Sequence, residues 1–493
     1  MSAGATRIAV IAVYFAIVLV IGALAFRKTE TSAEDYFLGR RSAKTVVLFM
    51  ALFGTNITPF VLMGIPAKAY HAGIAMFGLN AAIIVLGIPL TFWLIGYPAW
   101  IAAKATGAVT PAELYAKRFG ARWLGWLLFG VFSIYTIPYM ATAVIGVGTA
   151  VDVLSEQALS FELAALGILV ITLLYTSLGG MKATMWTNVF QGAVFMGFSL
   201  VAFWLIAGDF GGLDALMQGI HRDSPQLFER PSKGLFSPRG WASWALAIAL
   251  TVIAFPHMLV RIFAAKDAKA LKNACRYYPP AMVLLWIPAT LFGVWATVDH
   301  PGLAPDATDV VFPLLVLDHL GPLLEGLALA GILAAVMSTL DAQMLTLSSM
   351  LTRDVLPPQL AGRHPVRISR VFLVALALLT YGLALWGPAS IFDLAGLSFS
   401  GYVTLVPTLF LGLRWRRFTV WGAATSIVLG NLVFLAAVAG FVPTFGFLPV
   451  VWGLGAAIVG ALVGSWMSAP TETSVADAVL APIEAVLGHT DRA

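Results

Sequence analysis

Residues 321 to 355 read GPLLEGLALAGILAAVMSTLDAQMLTLSSMLTRDV, apolar and long enough to cross a membrane as one helix, yet with Ser338, Thr339, Asp341 and Gln343 at the middle. Polar groups at that depth are costly to bury, so they signal a function. A carboxylate and two hydroxyls within one helical turn, among alanines that let a second backbone come close, suit a small cation. The stretch points to a membrane protein in which a cation is coupled to the passage of a solute.

The rest of the chain has a matching composition. Of 493 residues, 60% are apolar and 11% charged, with a mean hydropathy of +0.90. A soluble fold would lack polar surface, so the chain reads as an all-α polytopic membrane protein in a lipid bilayer. The pI near 9.3 does not indicate nucleic acid, because the basic residues recur in short loops and not on one face. The single Cys275 excludes an internal disulfide framework and a cysteine-based metal site. The first apolar run lacks a small-residue cleavage pattern and is expected to be a retained span.

Thirteen runs can span, near 8 to 26, 45 to 70, 74 to 102, 123 to 151, 160 to 178, 184 to 207, 240 to 264, 275 to 297, 322 to 351, 366 to 387, 390 to 413, 418 to 440 and 446 to 467. They are expected to form one transporter domain over 1–467, followed by a short tail, 468–493, with a weakly amphipathic stretch near 475 to 487. Of the 29 Lys and Arg residues, 23 fall in one set of alternate connections, from Arg27 and Lys28 through Arg261 to Arg363 and Arg492. The other 6 are Arg7, Lys68, Arg222, Arg230, Lys233 and Arg239. Positive residues stay in the cytoplasm, so the N-terminus is expected outside and the C-terminus inside a plasma or inner membrane. Residues 27 to 44 are expected at the cytoplasmic surface, 208 to 239 as the longest external loop, and 303 to 320 as an external half-helix.

Two spans are interrupted at polar points. The second, MALFGTNITPFVLMGIP, carries Gly54, Thr55, Asn56, Thr58 and Pro59; the seventh, WALAIALTVIAFPHMLVRIF, carries Pro256 and His257. Such breaks free carbonyls for a cation and aim half-helix N-termini at anionic groups. A proline kink without a ligand is the simpler reading of either break alone. Two breaks five spans apart fit two inverted halves, about 45–207 and 240–413, with spans 8–26, 418–440 and 446–467 peripheral.

Four segments then resemble the sodium:solute symporter family of sodium-coupled sugar, proline, sialic acid and monocarboxylate carriers. They are SAEDYFLGRRS (32–42), LLYTSLGGMKATMWTNVFQ (173–191), PHMLVRIFAAKDAKALK (256–272) and AAVMSTLDAQ (334–343). The resemblance implies a five-plus-five inverted repeat of the LeuT type, with discontinuous helices 2 and 7, and sodium-coupled symport by alternating access. It also implies sodium ligands at the backbone of Gly54, Ile57 and Ala335 and at the hydroxyls of Ser338 and Thr339. Five neutral oxygens suit a monovalent ion that must bind and leave in each cycle. The alternative is that both hydroxyls bond back to carbonyls of their own helix.

One position departs from the family pattern. Asn188 stands where an aspartate is usual, and Asp341 is one turn beyond Ser338. Asn188, Ser338 and Asp341 together could hold a second cation or a proton, and a protonatable Asp341 makes proton coupling the alternative. Otherwise Asp341 is a structural partner of Asn188 or Gln343, or sits near the cytoplasmic mouth.

The expected solute pocket draws on Thr55, Asn56, Thr58, Phe60, Asn80, Tyr135, Tyr139, His257 and Ser400. Membrane aromatics are more often packing or interface residues, and a buried histidine can simply bond a carbonyl. The pocket shows no obvious Arg or Lys, and no Glu or multi-amide cluster to grip a polyhydroxylated sugar, so a small monocarboxylate or amino acid, neutralised by the cation, the half-helix N-termini and His257, fits better. A sensor module would need a signalling domain, which residues 468–493 are too short to hold. A membrane enzyme would need a His, Glu or Cys constellation, which the scattered histidines do not form. A channel is less suited to paired discontinuous helices.

Overall fold

The computed structural model describes residues 2–27, 33–361, 364–386 and 390–488. Lys28, Arg363, Arg492 and the start of the 32–42 segment lie outside them. Within the described residues the fold is helical, apart from one isolated bridge between Ala43 and Ala265. Ten helices are long and apolar enough to span, and two bent pairs raise the number to 12. The 49-residue helix Phe161–Asp209 would be about 74 Å long if straight, more than twice a bilayer core. It loses helical dihedrals at Gly180 (φ 54°, ψ −147°), so it is compatible with two passes and the chain with thirteen. This break falls between the fifth and sixth runs, 160 to 178 and 184 to 207. A Cβ on Gly180 would sit 2.4 Å from the carbonyl oxygen of Tyr36, so the short helix Ala33–Leu38 approaches too closely for any other residue.

Both interruptions have a local cause. Proline disfavours helical dihedrals in the residue before it. Thr45–Asn56 ends at an extended Ile57 (ψ 109°), two residues ahead of Pro59, and the chain resumes at Phe60 bent by 54°. Pro238–Ala254 ends at an extended Phe255 (ψ 124°) and resumes as Pro256–Phe263, bent by 47°.

The ninth span, Pro322–Met350, is the axis of the molecule: 83% of its most apolar window is buried, against 22% for the first span, Ala3–Phe26. It packs on spans 1, 4, 5 and 6. Spans 12 and 13, Val420–Val438 and Pro449–Trp466, pack mainly on each other through small residues, with Gly430 against Gly453 and Ala457. The tail stretch is the helix Thr473–Leu487. It lies on Tyr97–Thr106 and on the amphipathic helix Pro111–Phe119, and Arg416 bonds Asp477 and Glu484.

Two arginines expected in loops are interior. Arg118 is fully buried and donates to the carbonyls of Gly412 and Trp415, and Arg261 is 1% exposed within span 7. Each donates to a buried or half-buried acceptor, Arg261 to the Asp341 carboxylate, so a charge count alone cannot distinguish them from loop cations.

On the face that carries the N-terminus, residues 305–310 and the half-helix Val311–His319 lie across the bundle. His319 bridges Asp209 (2.6 Å) and Asp299 (2.8 Å), one on each ring nitrogen. Burial works against the charged ring, but the two carboxylates outweigh it and hold its pKa above the ordinary 6.5. The clamp is therefore at full strength below pH 6.5 and is lost as pH rises through the raised value. Because Asp209 is largely exposed, each bond contributes about 1 kcal/mol. We expect His319→Gln to lower the melting temperature of the purified protein at pH 6. The gap should close at pH 9; a gap independent of pH would mean the ring acts only by packing.

Candidate transport site

Span 9 brings two adjacent hydroxyls against the broken second span. Ser338 Oγ lies 2.9 Å from the Gly54 carbonyl oxygen, and Thr339 Oγ1 lies 3.1 Å from that of Thr55 and 3.5 Å from that of Ile57. Both also reach the Ala335 carbonyl, at 2.9 and 3.1 Å. Each hydroxyl has one proton, so two protons face four carbonyl oxygens. The cluster has a surplus of lone pairs in a volume from which Ser338, Thr339, Thr55 and Ile57 exclude solvent. Such a surplus is what a small cation without a carboxylate ligand requires.

Asn188 and Thr55 brace this cluster. Asn188 donates through Nδ2 to the Thr55 hydroxyl (3.0 Å) and the Ser338 carbonyl (3.3 Å), and Thr55 donates to the same carbonyl (3.2 Å). Asp341 is elsewhere on span 9. Its carboxylate accepts from Arg261 Nη2 (3.2 Å) on span 7 and from the Tyr175 hydroxyl (3.0 Å) on span 5, with Asp341 and Arg261 both buried. The structure does not join Asp341 to Asn188. The partners Arg261 and Tyr175 escaped the sequence reading, although Arg261 follows His257 by one turn in an otherwise apolar half-helix.

Of the expected pocket residues, Phe60, Tyr139 and His257 converge. Phe399 packs on Phe60 (5.1 Å between centroids) and Tyr139 (5.0 Å), and Phe255 packs on Tyr139 (5.5 Å) and stacks on His257 (5.1 Å). Neither His257 nitrogen has a protein partner among the described residues. Asn80 joins indirectly: it accepts from Trp244 Nε1 (3.0 Å), whose ring stacks on Phe392, which stacks on Phe60. Thr58 accepts from the Phe60 amide, Asn56 is half-buried beside it, and Ser400 is buried on span 11. Tyr135 also joins indirectly, packing on Tyr402 (5.7 Å), which packs on Phe255 (5.0 Å), while its hydroxyl bonds Asn431 on span 12 at 2.5 Å. Phe255, Phe399, Trp244 and Phe392 looked like ordinary membrane aromatics in the sequence.

Two broken helices facing a hydroxyl-bearing ninth span define a secondary transporter of the inverted-repeat class. A profile of the sodium:solute symporter family matches residues 36–430, and the chain belongs to that family. It is 29% identical to the sodium/pantothenate symporter of Escherichia coli over 463 residues, covering 92% of this chain and 94% of that protein. It is 26% identical to the Escherichia coli sodium/proline symporter over 491 residues, 94% and 95% of the two chains. Its fold is similar to that of a sodium-coupled sialic acid symporter solved in an outward-open state, with a TM-score of 0.80 and 19% identity over 95% of this chain and 99% of that one. The chain is therefore a multi-pass membrane transporter, not an enzyme, that carries a small solute by symport with sodium as the co-transported ion.

Proposed function

We propose that sodium binds between spans 2 and 9, on the carbonyls of Gly54, Ile57 and Ala335 and the hydroxyls of Ser338 and Thr339, and drives uptake of a small solute bearing one carboxylate. The oxygen-rich, proton-poor cluster at these residues carries the reading. Phe60, Tyr139 and His257, with Phe255 and Phe399, form the solute's surroundings at the level of the breaks, where the N-terminus of the half-helix from Pro256 favours an anionic group. Pantothenate and proline, the solutes named for the two relatives, each bear a single carboxylate, which supports a monocarboxylate or an amino acid. Asn188 braces Thr55 and Ser338, and Asp341 is engaged by Arg261 and Tyr175. Their separate partners favour structural roles over a second cation or proton site.

The lysine and arginine distribution supports a plasma or inner membrane orientation with the N-terminal face outside and the C-terminal helix in the cytoplasm. Residues 1–467 act as one transport domain. The reading is tested by radiolabelled uptake into proteoliposomes, with imposed sodium or proton gradients and a panel of monocarboxylates, amino acids and sugars. Accumulation of a carboxylate solute under a sodium gradient, and none under a proton gradient alone, is expected. Accumulation of sugars alone would overturn the solute class, and proton-driven accumulation without sodium the coupling ion.

A further inference from the structure

The face that carries the N-terminus holds a cleft of about 430 Å³ lined by Lys68, His71, Asp306, Asp309, Phe392 and Asp393. It lies between the outer half of span 2, the segment Pro305–Val310 and the start of span 11. Lys68 holds its ammonium 5.3 Å from the centre of the Phe392 ring, and among the described residues no carboxylate is within ion-pairing distance of it. The acidic groups are differently committed. Asp309 accepts from the Ile391 amide (3.1 Å) and Asp393 from the Ser390 hydroxyl (2.8 Å), which leaves Asp306 on the exposed rim.

Phe392 is also the top of an aromatic column. It stacks on Phe60 and Trp244 (5.1 and 5.2 Å), and Phe60 leads through Phe399 to Tyr139 at the level of the breaks. A solute approaching from this face therefore meets the cleft first, and the ring beneath Lys68 separates it from the deeper site.

We propose that this cleft is a second solute site, an antechamber for a zwitterion, in which Lys68 takes the carboxylate and Asp306 and Asp393 face the ammonium. The proposal rests on the reading of a carboxylate solute carried from the N-terminal face. One lysine against three aspartates disfavours a simple anion, whereas a solute with both charges satisfies each side. The antechamber thus selects amino acids over plain monocarboxylates before the solute reaches the sodium site. A carboxylate on the ammonium also draws Lys68 off the Phe392 face, loosening the contact that covers the column.

The test is sodium-driven uptake into proteoliposomes of L-proline and of cyclopentanecarboxylate, which share ring and carboxylate and differ in the ammonium, with pantothenate as a larger monoanion. The wild type should take up the zwitterion at least tenfold better at low concentration. Lys68→Gln should raise the half-saturating concentration of L-proline about tenfold, a change that Lys68→Arg should largely reverse. Asp306→Asn, on the exposed rim, should erode the preference for the zwitterion. If no carboxylate probe accumulates in the wild type, the carboxylate reading falls and the antechamber with it. If uptake is sodium-driven but Lys68→Gln and Asp306→Asn match the wild type, or the monoanions are preferred, the antechamber alone is overturned.

Discussion

Thr339→Ala is expected to raise the sodium concentration that half-saturates uptake by about 10- to 100-fold, and Ser338→Ala to act in the same direction. Each hydroxyl is a proposed sodium ligand and the only side-chain oxygen that its residue brings to the cluster. Removing it leaves the Gly54, Ile57 and Ala335 carbonyls without the oxygen opposite them, in a place that water does not reach from the protein surface. Losing one well-placed polar partner of a charged group costs about 1.5–3 kcal/mol. Ser349→Ala is the matched control: among the described residues its hydroxyl bonds only the Thr346 carbonyl of its own helix, so the sodium dependence should hold. Sodium titrations of uptake at fixed solute, alongside sodium-dependent solute binding, separate ion affinity from transport rate. An equal loss in all three variants would reassign the hydroxyls to packing.

Asp341→Asn is expected to be the most damaging substitution for folding. Arg261 and Asp341 are a buried ion pair made through one hydrogen bond, and Tyr175 supplies a second to the carboxylate. Taking away the carboxylate strands the guanidinium, and removing one partner of a buried pair costs about 3–5 kcal/mol. That is a large fraction of what keeps most domains folded. The double variant Arg261→Met with Asp341→Leu removes both charges and should recover much of the lost stability, because apolar replacements of buried pairs are often near neutral. Size-exclusion profiles and melting temperatures of the purified variants measure this. A well-folded Asp341→Asn protein that had lost ion coupling would make Asp341 a ligand of the coupled ion instead of a tie between spans 7 and 9.

The two substitutions separate what was legible in the residues from what was not. Ser338 and Thr339 stood out because polar atoms are costly inside an apolar helix, and the breaks stood out because proline acts on the residue just before it. Both are local effects. Arg261 was misread because a cation near the end of an apolar run looks the same whether it meets water or a carboxylate 80 positions along the chain. Helical periodicity does not say which neighbour a face will meet, so the bond from Tyr135 to Asn431 on the peripheral span 12 was not legible.

The amino-acid sequence by itself determined the class of fold, the sites of the two interruptions and the hydroxyls beside them, since hydropathy, proline geometry and the burial of polar atoms are properties of short segments. Only the tertiary structure decided the partners. It brought four carbonyls from two helices to two hydroxyls, paired Arg261 with Asp341, joined Phe255 and Phe399 to the expected pocket, and set Lys68 over the Phe392 ring. Such contacts join residues far apart in the chain, and no local preference encodes which of several helix faces will close on which.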